Sequence, residues 1–453
     1  MTLKQLLPLL MLMALFQGGL CNASEEGTPE VWTPKKAVDF ALRNSPDSQI
    51  AAQRMIEAKA LQSKSAASFY PTVNLSGNYG QTNNPMYSFG NILNQGAYVP
   101  GIDFNNPGRT DNLNLTAAVQ YRFYNGGQDL ARNQAAAAGV DVSVAERKAI
   151  LLRLEFEAFR SFQKIEEAEL ILQAGEEGVT AIRSSLQVAQ ARYDAGDLLR
   201  TDLLNLEVEE SRAVQNQIRA THNLELSKKI FLQLLGLPSG EVIIDTVGTQ
   251  APLRPERLDS ELRPEMQRLL AATRAAEAEL RAARGGWLPT VDGFAAYQYD
   301  QGFVMDGGGD SWLAGIKVNF NLFDGGNSSA DVALGKAKLS SLRAEKKKLE
   351  LAINLEMVQS ELALSEAEQS LVVTQKMVDL ATESEALSQV RFKEGGILAS
   401  DLINVENSLT DARVRNATAT SALRIAIADL RRASGLSQFN NIAQTPLPLE
   451  SRQ

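Results

Sequence analysis

One stretch of this chain occurs twice, and the distance between the copies constrains everything else. Residues 192–207 read RYDAGDLLRTDLLNLE, and 199 residues later the chain reads RFKEGGILASDLINVE from Arg391. Seven of the sixteen positions are identical: Arg192/Arg391, Gly196/Gly395, Leu199/Leu398, Asp202/Asp401, Leu203/Leu402, Asn205/Asn404 and Glu207/Glu406. The same spacing relates Asn125-Gly126-Gly127 to Asp324-Gly325-Gly326, and Leu235-Gly236-Leu237 to Ser434-Gly435-Leu436. Upstream it becomes 218 residues, relating Pro46 to Pro264 and Tyr70-Pro71-Thr72-Val73 to Leu288-Pro289-Thr290-Val291, so the first copy carries 19 extra residues in one loop. A unit repeated over most of a chain is a module built twice, and one reading serves both copies.

Each copy of the stretch reads as a helix end, a turn and a new helix. Gly196 and Gly395 suit the left-handed conformation that closes a helix. Thr201 and Ser400 are placed to cap the next helix, with Asp202 and Asp401 in its first turn, where the helix dipole favours negative charge. A helical run from Gly127 to about Ala195 precedes the first turn; at 1.5 Å per residue it is roughly 100 Å long. Leu151, Ala158, Ile165, Leu172, Val179, Leu186 and Tyr193 recur every seven residues, with Leu154, Ala168, Ile182 and Ala189 three places on. That is a coiled-coil seam. The second run, about 327–394, keeps Ile353, Met357, Leu364, Leu371 and Val378 less regularly. The returning helices, about 201–236 and 400–435, are half as long; shorter helices at 46–69 and 264–287 supply the remaining length. A further short helix opens at Thr33-Pro34 and ends before Pro46.

Between the short and the long helices the period changes to two. Val73, Leu75, Gly77 and Tyr79 alternate with Thr72, Asn74, Ser76 and Asn78; after a loop at about 81–111 rich in Asn, Gly and Pro, Leu113, Leu115, Ala117, Val119, Tyr121 and Phe123 alternate with Asn112, Asn114, Thr116, Gln120 and Arg122. Such alternation around a polar loop is a β-hairpin. The second copy repeats it with Val291, Gly293, Ala295, Tyr297 and Tyr299, then Ile316, Val318, Phe320 and Leu322 opposed by Lys317, Asn319 and Asn321. A half-buried soluble hairpin would show this pattern. A membrane barrel shows it too, and it also explains why Phe69, Tyr70, Phe123, Tyr124, Trp287 and Phe323 gather at one end of both hairpins, as an interfacial belt does. The second hairpin closes without the 19 extra residues, so the fold is expected to tolerate their loss.

Residues 1–23 read as a secretory signal, with Lys4, an apolar core from Leu6 to Phe16, and Cys21-Asn22-Ala23 at the cleavage site. Cys21 is alternatively a lipoprotein cysteine, although Leu20 stands where a small residue is usual. The 237–262 segment reads as a linker and small belt element, and 437–453 as a loose tail. The repeats are then 24–236 and 263–436. A net charge of −9 argues against a nucleic-acid partner. His222 reads as a plain helix residue, and Gly307-Gly308-Gly309 between Asp306 and Asp310 as a loop tip rather than a calcium site. No cofactor, metal site or catalytic constellation is expected, and an enzyme reading is poor.

With the tip turns, the YPTV and LPTV strand starts and the NGG and DGG junctions in order, the chain resembles the TolC-like outer-membrane efflux protein family over nearly all of its expected mature length. The resemblance implies a mainly α protein with a membrane β-barrel. Four strands per chain and a long coiled-coil α-barrel form an internally duplicated trimer with a 12-stranded barrel. Four strands cannot close a barrel, so assembly is required on physical grounds; the number three comes from the family. Further implied are a location in the bacterial outer membrane with the helices in the periplasm, a periplasmic adaptor (membrane fusion protein), and an inner-membrane pump of RND or ABC type in an efflux or type I secretion system. Tip turns built on Arg192, Gly196, Leu199, Thr201, Arg391, Gly395, Leu398 and Ser400 would meet the adaptor. Asp202 and Asp401, each with an asparagine three residues on (Asn205, Asn404), match the family's channel gate; otherwise the two aspartates are ordinary helix-start residues. The family's best-known member locks its second tip with a tyrosine and an arginine, whose places here are held by Phe392 and Ile397. A periplasmic coiled-coil scaffold is the alternative reading; it leaves the hairpins unexplained.

Overall fold

The computed structural model describes residues 31–245, 252–255 and 263–439. The signal segment expected at 1–23 lies outside these residues, as do much of the linker and nearly all of the tail.

Helix α1 (Pro34–Asn44) is capped by Thr33, whose hydroxyl accepts from the Lys36 N–H at 3.3 Å. It leads into α2 (Pro46–Ala66) and a 3₁₀ turn, Ala67–Phe69, before strand β1 (Thr72–Thr82). The expected loop at 81–111 is not irregular throughout: it holds a helix, α3 (Pro85–Asn94), capped by Asn84, before β2 (Thr110–Asn125). Then come α4 (Gln128–Asp194) and α5 (Arg200–Leu235), 67 and 36 residues long. The second copy follows as α6 (Pro264–Gly285), β3 (Thr290–Gln301), β4 (Gly308–Asn319), α7 (Asn327–Lys393) and α8 (Ala399–Ala433). Both long helices have 67 residues, in keeping with the run of roughly 100 Å read from the pattern.

The strands form one antiparallel sheet in the order β1-β2-β3-β4. Its register places Val73 opposite Val119, Leu115 opposite Tyr299, and Tyr297 opposite Trp312. One face is therefore an apolar band, and it is exposed: Leu75 is 79 % and Trp312 76 % accessible. The other face carries hydrogen-bonded polar groups, with Arg122 paired to Asp292 at 3.1 Å and Asn114 donating to Asp300 at 3.0 Å. Among the described residues, no strand lies beside the outer edges of β1 and β4. The last strand is shorter than its alternation implied. Pairing stops at Asn319, so Phe320 and Leu322 follow the strand as exposed residues beside the belt aromatics.

In the helical part, α2 and α5 both pack along α4, while α6 and α8 flank α7; α4 also touches α6 and α8. The predicted seam of α4 is buried at Leu151, Leu154, Ala158, Ile165, Ala168, Val179, Ile182 and Ala189. Midway along α4 lies the main core, where Phe159, Phe162, Phe231 and Trp32 are fully buried and Trp32 meets Phe231 edge-on at 5.3 Å. A short parallel bridge, Trp32 to Ile244, lies beside it. The tail expected to be loose begins docked instead. Gln438 is buried, its N–H bonded to Glu155 at 2.7 Å and its amide to the Ala428 carbonyl at 2.9 Å. Among the described residues no helix is long and apolar enough to cross a membrane.

Candidate functional site

The two tip turns converge at the end of the molecule farthest from the sheet. Each long helix ends on a left-handed glycine, Gly196 at φ 85° and Gly395 at φ 79°. The next N–H reaches back to the last turn, Asp197 to the Arg192 carbonyl at 2.8 Å and Gly396 to the Arg391 carbonyl at 2.7 Å. This satisfies carbonyls that the helix end would leave orphaned.

Thr201 and Ser400 do not cap the returning helices. The caps lie two residues earlier, at Leu199 and Leu398, which are in extended backbone and bring no side-chain hydrogen bond. The cause is packing. Ile182, Ala189, Leu203, Leu206, Phe392, Ala399 and Leu402 form one buried cluster, with Leu198 and Ile397 against it, so the apolar register sets the helix start. Leu199 and Leu398 then project as exposed leucines, 70 % and 63 % accessible.

Asp202 and Asp401 both lie in first turns, of α5 and α8, as expected. Asp202 is half-buried and Asp401 exposed; Asn205 and Asn404, one turn on, are exposed. Neither aspartate caps the N-terminus of its helix; each stands in the first turn, where the helix dipole favours its charge. The expected adaptor-facing arginines part company. Arg391 is exposed, whereas Arg192 donates to the Phe392 carbonyl at 2.8 Å and lies over its ring. Phe392 and Ile397, which stand where the polar lock would be, belong to the apolar cluster; Phe392 is 1 % accessible.

The pattern did not reveal a buried carboxylate behind the tip. Glu406 of α8 is 4 % accessible; one oxygen is bonded to the Ser185 hydroxyl of α4 at 2.5 Å and the other has no partner. Burial pushes its pKa up to about 7, and Glu385 and Glu209 add to the rise. Glu209 itself is held by Asn407 at 2.9 Å and Arg212 at 3.2 Å. Identity at Glu207/Glu406 was the only available signal, and Glu207 is exposed. Among the described residues no cluster of His, Cys, Asp or Glu is arranged to hold a metal.

An open-edged sheet with an apolar outer face, joined to two long helical hairpins, defines a β-strand membrane protein extended by a helical rod. The sequence profile described as outer membrane efflux protein matches residues 37–237 and 260–436. The chain belongs to that family. It is similar to the outer membrane efflux protein BepC of Brucella suis biovar 1 (strain 1330), 24 % identical over 294 residues, a match that spans 62 % of this chain and 62 % of that relative. Its fold is that of the Campylobacter jejuni CmeC outer membrane channel (TM-score 0.78, 15 % identity, covering 90 % of this chain and 87 % of the other). The outer membrane protein VceC of Vibrio cholerae gives TM-score 0.76 at 16 % identity, covering 89 % and 96 %.

Proposed function

We propose that this chain is the outer-membrane channel-tunnel subunit of a tripartite efflux or type I secretion system. In this role it would carry substrates delivered by an inner-membrane pump across the periplasm and the outer membrane. The observation that carries the reading is the sheet. Its apolar band faces outward and its polar groups face the other way. Its two edges are open, and a bilayer does not tolerate unpaired edges. Closure by further copies removes the edges, and a trimer makes a 12-stranded barrel.

The helices ask for the same neighbours. On α7, Leu351, Leu355, Val358 and Leu362 form an exposed stripe at helical spacing, while α5 exposes Leu204, Val208, Leu226 and Ile230. Covering these exposed residues with helices of further copies would extend the barrel into a tunnel. The paired tips then form its periplasmic mouth, where Asp202 and Asp401 would supply six carboxylates to a ring favouring cations. The exposed Leu199 and Leu398, with Arg391, form the contact for a periplasmic adaptor. Under this reading the first repeat, linker and second repeat are 24–236, 237–262 and 263–436, after a signal segment at 1–23.

The test is fractionation and cross-linking of cells expressing the full chain. A detergent-resistant trimer in the outer-membrane fraction, with restored export when its adaptor and pump are co-expressed, is the expected result. Recovery as a soluble monomer of full helix content would end the channel reading and leave the periplasmic scaffold.

A further inference from the structure

The segment that the first copy adds is folded onto one identifiable face of the sheet. Even-numbered positions of β2 and β3, among them Asn112, Asn114 and Gln298, share the polar face, as do odd-numbered positions of β4 such as Ser311 and Lys317. Helix α3 docks on that face. Asn91 donates to the Thr110 hydroxyl at 3.0 Å, and Gln95 donates to the Asn112 side chain at 3.0 Å and the Asp111 carbonyl at 2.6 Å. Glycines at the far ends of β3 and β4 permit the approach. A Cβ on Gly309 would stand 2.2 Å from the Asn94 carbonyl oxygen, and one on Gly302 2.1 Å from the Gln95 side chain. Phe104 stacks edge-on against Phe89 at 4.5 Å and ties the return segment to the helix. Ser88, Ile92 and Gln95 are buried on the docked side, while Met86 and Tyr87 project away, 83 % and 68 % accessible.

We propose that residues 83–109 form a constriction at the outer mouth of the channel that limits the size of solute passing between the lumen and the outside. This rests on the barrel reading, in which the polar face lines the lumen. Each insert then hangs inside the bore, at the strand ends farthest from the helices, and presents Met86 and Tyr87 to the open passage. An apolar ring at a narrow point resists wetting and admits little but small solutes. The second copy contributes nothing equivalent, since β3 and β4 are joined by only the short turn 302–307.

Labelling from outside the cell tests this. Gln298→Cys places a thiol on the polar face of β3, below the insert. In intact cells a small methanethiosulfonate should label it and a bulky polymer-linked maleimide should not. Undocking the insert with Asn91→Ala and Gln95→Ala, or trimming its free side with Met86→Ser and Tyr87→Ser, should abolish exclusion of the bulky reagent. The second pair touches none of the docking contacts and guards against misfolding of the first. Bulky labelling in the presence of the native insert overturns the constriction, as does continued exclusion in both variants at normal trimer yield. Failure of even the small reagent in every variant instead strikes at the lumen, and hence at the barrel reading itself.

Discussion

The guanidinium of Arg192 lies over the ring of Phe392, 5.1 Å from its centroid, and donates to the Phe392 carbonyl at 2.8 Å. One tip turn is thereby clasped to the other across the internal repeat. The clasp joins a cation–π contact, worth about 1 kcal/mol, to an apolar knot in which Phe392 is fully enclosed. Phe392→Ala should cost the knot about 3–5 kcal/mol, the usual range for emptying a buried aromatic site. The loss is local to the tip, so trimer melting should move little. Single-channel conductance should rise as the tips loosen, and Arg192→Ala should give a smaller rise of the same sign.

Glu406 makes the same region sensitive to pH. Its pKa in the folded tip is about 7, raised above the ordinary carboxylate value by burial. The native tip therefore binds the proton more tightly than the opened or unfolded one does. Stability from this group is fully present below the ordinary value of 4.5 and is lost as pH rises through about 7. The total is of order 3 kcal/mol at most, at about 1.4 kcal/mol per pH unit. Closed-tip cross-linking between cysteines placed on the two turns should weaken from pH 5 to pH 8. Glu406→Gln, which keeps a neutral polar group in the seam, should flatten that profile.

The aspartates of the proposed gate are separable from local structure. Replacing Asp202 and Asp401 together by Asn removes charge at nearly constant size. In planar bilayers, cation selectivity and block by multivalent cations should both fall. Melting should change by less than about 1 kcal/mol per site, the scale of a first-turn dipole effect. Unaltered selectivity would return both residues to the role of ordinary helix-start positions.

Adaptor capture should depend on the two projecting leucines. Leu199→Asp with Leu398→Asp adds charge at two side chains that are largely exposed in the single chain, 70 % and 63 % accessible. Trimers should form normally, while cross-linking to the adaptor and export both collapse. Loss of the trimer itself would show that the tips contribute to assembly.

Assembly is addressed at the α7 stripe. Leu355→Glu and Leu362→Glu place charges on a face exposed in the single chain, leaving its fold unaffected. Cross-linked trimers should disappear from the outer-membrane fraction with little change in the helix content of the expressed chain.

Much of this architecture is legible in the linear pattern because long helices and membrane strands are governed by local periodicity. A seven-residue repeat from Leu151 to Tyr193 specifies one long helix, and strict alternation from Val73 to Tyr79 specifies a strand with one apolar face. Turn glycines are equally readable, since Gly196 and Gly395 need a left-handed backbone that few residues supply. Helix starts were less so. Thr201 and Ser400 had the right chemistry for caps, but the apolar cluster beneath the tips chose Leu199 and Leu398.

What the sequence by itself determined is that one module is built twice, with its helices, strands and turns in the same order. Beyond the 19 extra residues of the first copy, only the tertiary structure decided where the copies cease to be equivalent. Arg192 clasps Phe392 while Arg391 is exposed, and Glu406 is buried while Glu207 is not. The extra residues of the first hairpin also fold over the polar face of the sheet rather than extending free. The physical reason is that identical residues acquire different neighbours. Helix α4 is enclosed by partners from both copies, whereas α7 leaves one face bare. Burial, and with it charge state and pairing, depends on contacts between segments some 200 residues apart, which no local period encodes.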